Sequence, residues 1–145
     1  MSSCVEIYIK HNNDVFCIYS VSTSAEFGQI LSSFTTYGEF ARLTEDTISD
    51  CRNSVWRKIE LYEGNVRKLR DRITQVGTWN NSVDEKIDYL GELDESVETT
   101  ICDLYELQES IGILNFIDNM ITIEDNEVYV GYEADPSNLI VKKED

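Results

Sequence analysis

The residue pattern predicts an α+β fold: a small antiparallel sheet from N- and C-terminal β-hairpins, one short helix, and a long antiparallel helical hairpin. Three observations carry this expectation. Apolar residues alternate at period two near both ends of the chain, they recur at steps of three and four through its middle, and "GTWNNS" interrupts that middle stretch once.

Taken in order, "CVEIYIK" and "DVFCIYSVS" place Val, Ile, Tyr or Phe on alternate positions, and the turn formers of "HNND" join them into a β-hairpin. In "STSAEFGQILSSF", Thr23 followed three places later by Glu26 has the form of a capping box. Phe27, Ile30, Leu31 and Phe34 then share one helical face. This short helix is expected to end near Gly38, since glycine readily closes a helix C-terminus.

A long helix is expected over 44–76. Thr44, Glu45 and Asp46 suit its start, because carboxylates complement the positive end of the helix dipole. Ile48, Cys51, Val55, Ile59, Tyr62, Val66, Leu69, Ile73 and Val76 continue as one stripe. Ser82 with Glu85 repeats the capping-box pattern and opens a second helix over 83–111, whose stripe is Val83, Ile87, Leu90, Val97, Ile101, Leu104 and Ile111. Asp94 and Gln108 fill two slots where an apolar residue is expected. Two helices of about 45 Å joined by a short loop fold back on each other. Counting outward from the loop pairs Val76 with Val83, Leu69 with Leu90, Tyr62 with Val97, Ile59 with Ile101 and Val55 with Leu104.

After Gly112 the pattern turns strand-like, with "EDNE" read as the turn between "MITI" and "VYVGYE", and the apolar triplet of "SNLIVKKED" fits an edge strand. No repeat or linker divides the chain. It is therefore expected to be a single domain, 1–145, with the helical hairpin 44–111 projecting from a sheet formed by 4–22 and 120–141.

An apolar fraction of 41% is enough to build a core and argues against disorder. No apolar run approaches the ~20 residues needed to span a bilayer, and the opening residues lack a basic, then hydrophobic, signal pattern. A cytoplasmic protein is expected, with Cys4, Cys17, Cys51 and Cys102 as free thiols. Those cysteines are dispersed and His11 is the single histidine, so neither a metal set nor a cofactor is expected.

Charge is more informative. The formal net charge is −16, and it is unevenly placed: residues 1–80 carry nine bases and ten acids, residues 81–145 three bases and eighteen acids. Such a surface repels phosphates, which disfavours direct nucleic-acid binding and anionic membranes, and it attracts cationic protein grooves.

The density peaks in "SVDEKIDYLGELDESVE", with seven carboxylates and one lysine. On a helix advancing about 100° per residue, Asp84, Asp88 and Glu95 fall opposite the apolar arc, Glu98 on its flank, and Glu92, Glu106 and Glu109 extend the band. An exposed helix face normally carries charge, and that alone accounts for some of it. Ordinary faces, however, mix Glu with Lys, whereas like charges at i, i+4 repel by a few tenths of a kcal/mol per pair. Seven of the twelve bases lie on the first long helix, so interhelical bridges such as Arg70 with residues near Glu92, or Arg52 with Glu106 or Glu109, would offset part of the acid. Trp79 in the loop is expected to fold back on the last apolar pair or to serve as an interface anchor. A second patch interleaves Glu124, Asp125 and Glu127 with Tyr129.

No catalytic motif is complete: there is no G-x-S-x-G, H-E-x-x-H or P-loop, and His11 sits among turn formers. A non-enzymatic role is expected. In composition and charge layout the chain resembles the nucleic-acid-mimicking inhibitors that phages carry against restriction and CRISPR effectors. That resemblance implies an acidic protein occupying the basic nucleic-acid-binding groove of a partner, and it transfers no site residues. The alternative is an assembly adaptor whose hairpin pairs with a second copy as a homodimer.

Overall fold

The computed structural model describes residues 3–140, and its fold is α+β. Strands β1 (Cys4–His11) and β2 (Asp14–Ser22) are followed by helix α1 (Glu26–Ser32), strand β3 (Phe40–Leu43), the long helices α2 (Glu45–Val76) and α3 (Val83–Ile121), strand β4 (Asn126–Tyr132) and a 3-10 turn, Pro136–Leu139. The strands form one antiparallel sheet in the order β2-β1-β4-β3.

The chain divides into two compact units. The first comprises 1–55 and 110–145, the second 56–109. Within the first, register places Ile7 opposite Val130 and Ile9 opposite Val128, while Ala41 and Leu43 meet the same two valines from the other side. One sheet face is thereby apolar, with Ile7, Ile9, Leu43, Val128 and Val130 buried on it, and Phe27 and Leu31 of α1, Ile48, Cys51 and Val55 of α2, and Leu114 and Ile117 of α3 are buried as well. Each such side chain contributes about 1.5–3 kcal/mol on leaving water, which makes this the main source of stability.

The N-terminal hairpin forms as expected, with Asn12 in the left-handed region at φ 56°, a conformation asparagine tolerates. The C-terminal hairpin does not form. Met120 and Ile121 belong to α3, which runs ten residues beyond the expected end because Leu114 and Ile117 continue its buried stripe at helical spacing. β4 is instead inserted between β1 and β3, the latter a four-residue strand that the apolar pattern did not flag. The sheet therefore draws on 126–132 rather than on 120–141. Pro136–Leu139 is helical where an edge strand was expected, Ile140 follows it outside any strand, and Val141 lies outside the described residues.

The helix ends also differ from expectation. Ala25, not Thr23, is the N-cap of α1; the Thr23 hydroxyl instead donates to the Ser3 carbonyl at 3.2 Å, so no capping box closes there. That helix stops at Ser32, and Gly38, at φ 81°, belongs to the turn that leads into β3. At the start of α2, Thr44 and Thr47 cap each other reciprocally: the Thr47 N–H donates to Thr44 Oγ1 and the Thr44 N–H to Thr47 Oγ1.

Candidate functional site

The second unit is a helical hairpin, and its acidic helix begins at a proper cap. Ser82 Oγ accepts the Glu85 N–H at 3.2 Å, but the Glu85 carboxylate takes Asn81 Nδ2 at 2.8 Å, so only half of the predicted box forms. Lys86 Nζ reaches across the loop to the Gly77 carbonyl at 3.1 Å. The expected pairing of the two stripes is not what the hairpin shows. Leu69 shares a depression with Leu93 rather than with Leu90, and Val66 shares one with Ile101 and Leu104. The expected partners of Val76 and Leu69 are left in solvent, Val83 at 71% and Leu90 at 44% exposure, and so is Ile87 of the same stripe at 61%.

The buried positions on this part of α3 are Leu93, Val97 and Leu107. Helical geometry puts Asp84, Asp88, Glu95, Glu98 and Glu109 on the side turned from them, with Glu92 and Glu106 on a flank. All seven are exposed. Asp84, Asp88, Glu92, Glu95, Glu98 and Glu109 make no ion pair among the described residues. Of the expected bridges, the one from Arg52 to Glu109 does not form. Arg52 instead meets Asp118 at 3.6 Å and donates to the Asn115 side chain at 3.1 Å, both one or more turns further along α3. Arg70 likewise has no ion-pair partner among the described residues near Glu92.

Trp79 is half-buried. Its ring packs edge-on against Tyr89, centroids 5.5 Å apart, with the Arg72 guanidinium 6.0 Å from its centroid. Together they close a depression of about 240 Å³ floored by Leu69 and Leu93. Trp79 thus folds back onto the hairpin rather than standing free in the loop.

Glu124 and Asp125 are exposed in the turn of the first unit, where Asp125 adopts φ 65° and its carbonyl accepts the Asn12 N–H. Glu127 and Tyr129 are committed elsewhere. Tyr129 donates its hydroxyl to Glu127 at 3.0 Å, Arg42 lies 3.5 Å from that carboxylate, and the Tyr129 ring stands edge-on to Phe40. Burial first, then the hydrogen bond to Glu127, raises the Tyr129 phenol above its ordinary value. Across the strand pair, Tyr8 repeats this arrangement with Glu6 at 2.7 Å.

His11 is exposed, and its Nδ1 lies 2.6 Å from Asn126 Oδ1. The four cysteines are free. Among the described residues no helix is long and apolar enough to cross a membrane, and no cluster of three potential ligands is arranged to hold a metal.

Fold and surface together define an α+β protein carrying an acidic helical hairpin. Compared with known family models, curated proteins and solved structures, the chain finds no match. Its function must therefore be argued from its own surface. The exposed apolar residues at 83, 87 and 90 were the part of that surface that sequence reasoning missed, because their period matched a buried seam.

Proposed function

We propose that this chain is a non-enzymatic binding protein that occupies a Lys/Arg-lined nucleic-acid groove of a partner protein and inhibits it by excluding the natural substrate. The observation that carries this reading is the row of Asp84, Asp88, Glu92, Glu95 and Glu98, all exposed and none ion-paired among the described residues. Between Val83 and Glu109 there are ten acids and one lysine. Neighbouring carboxylates at i, i+4 stand about 6 Å apart, a spacing of the same order as phosphates along a nucleic-acid strand. A groove built to neutralise phosphates meets a comparable row of charge here, on a rigid helix whose ordering was completed on folding. Exposed acids at Glu124 and Asp125 add a second negative surface on the other unit. The partner would gain by pairing charges that the free protein leaves repelling one another.

The test is capture of bacterial host proteins on the immobilised full chain. A specific partner is expected to elute as salt rises and to be displaced by duplex DNA. The triple reversal Asp88→Lys, Glu95→Lys and Glu98→Lys is expected to weaken retention by ~100-fold or more. Retention indifferent to salt, to competing DNA and to the reversal overturns the reading.

A further inference from the structure

The depression beside Trp79 is floored by two leucines, Leu69 and Leu93, and walled by the rings of Trp79 and Tyr89, set at 76° to each other. Tyr89, Glu92, Leu93 and Ser96 share one face of α3, because the last three follow the first by three, four and seven residues. Leu69 and Arg72 face them from α2, three residues apart. Glu92 is the only acid in this lining and Arg72 the only base. Both are exposed, and they make no ion pair although they border the same depression.

An aromatic face attracts a cation through its ring quadrupole, and a guanidinium suits it well, since its plane stacks on the ring while its N–H groups stay free to donate. The chain itself shows the indole accepting one: the guanidinium carbon of Arg72 lies 6.0 Å from the Trp79 centroid. Glu92 meanwhile is left without a cation. We infer that this depression receives an arginine side chain of the partner protein. Its guanidinium takes the place of Arg72 over the indole and pairs with Glu92, and its methylenes lie against Leu69 and Leu93. Arg72 is exposed and can turn into water. Charge selects a cation over an anion, because α3 carries ten acids and one lysine between Val83 and Glu109. The inference rests on the proposed reading for the nature of the partner, a groove lined with Lys and Arg. It adds an aromatic anchor at one end of the carboxylate row, with Glu92 common to both.

The probe is a blocked Gly-Arg-Gly peptide, titrated into the full chain at constant ionic strength and followed by the indole N–H resonances of the two tryptophans. The Trp79 resonance is expected to shift saturably while that of Trp56, exposed on α2, stays in place. The citrulline twin, which keeps the shape and lacks the charge, should bind about tenfold more weakly. Glu92→Gln should weaken the arginine peptide about fivefold and Tyr89→Leu about two- to fivefold. Arg72→Ala should tighten it about two- to fivefold, because the competing cation is gone. A Trp79 resonance that does not saturate overturns the inference, as does equal binding of the citrulline twin or weaker binding by the Arg72→Ala variant. The two readings fail separately. Trp79→Leu should reduce retention of the captured partner ~30-fold, the size of an interface hot spot. Retention that survives this change but is lost on reversal of Asp88, Glu95 and Glu98 overturns the arginine receptor alone, whereas peptide binding without any salt-sensitive partner overturns mimicry alone.

Discussion

Gly28 shows how one missing side chain holds two elements together. A Cβ at this position would be driven into the carbonyl oxygen of Ser22, so α1 can approach the end of β2 only with glycine there. Backbone cannot move aside cheaply. Gly28→Ala is expected to cost ~3 kcal/mol, read as a lower urea midpoint; an unchanged midpoint would mean that α1 sits further from β2. Gly131 is more forgiving, because the atoms within 2.8 Å of its built Cβ belong to the Phe40 ring, which can turn. Cys51 exerts its effect through pH. Burial pushes its thiol from 9.0 up to about 12, against a smaller opposing pull from Arg52. The neutral form is favoured in the folded state, so this contribution is complete below about pH 9 and is lost as pH rises from there towards 12. Cys51→Ala should lessen the fall in stability between pH 8 and pH 10.5, measured by urea unfolding at each pH. An identical fall in both proteins would show that the thiol is not involved. Sequence reasoning recognised Cys51 as a stripe residue, but the size of its shift depends on how completely neighbours exclude water.

At the scale of the element, α3 carries a tension that its fold does not require. Asp84, Asp88 and Glu92 follow one another at i, i+4, as do Asp94 and Glu98, while Glu92, Glu95 and Glu98 are spaced at i, i+3. Like charges at these spacings repel by a few tenths of a kcal/mol each. Glu95→Gln together with Glu98→Gln should therefore stabilise the protein by ~0.5 kcal/mol, seen as a rise in thermal midpoint at low salt that shrinks as salt is added. Destabilisation by this pair would show that the carboxylates hold the helix in a way the exposed, unbridged geometry does not reveal, and would remove the case that they serve a partner. The boundaries of α2 and the start of α3 were legible in advance because caps and stripes are local. The register was not. Stripes with a seven-residue repeat match comparably well when one is slid by a whole repeat, and caps within each helix do not fix its offset from the other. In the hairpin as folded, Val83, Ile87 and Leu90 are left in water.

For the molecule as a whole, two surfaces stand out: the row of exposed carboxylates on α3, and the exposed apolar residues Val83, Ile87 and Leu90. They lie on different sides of α3. The first unit supplies most of the fully buried apolar residues, including Ile7, Leu31, Leu114, Ile117, Val128 and Val130 at 1% exposure or less. The hairpin unit is more thinly packed, with Ile59 and Leu107 its apolar residues at 1% exposure or less.

The α+β class, the N-terminal hairpin, the two long helices and the negative surplus after residue 81 were determined by sequence alone, because each rests on composition or on spacing within a few residues. Tertiary structure decided where β4 pairs, that β3 exists, that α3 runs to Ile121 and which face of the hairpin stays open. Those outcomes depend on which apolar surfaces meet across long separations in the chain, and a periodic pattern specifies which residues share a face without specifying what that face will touch.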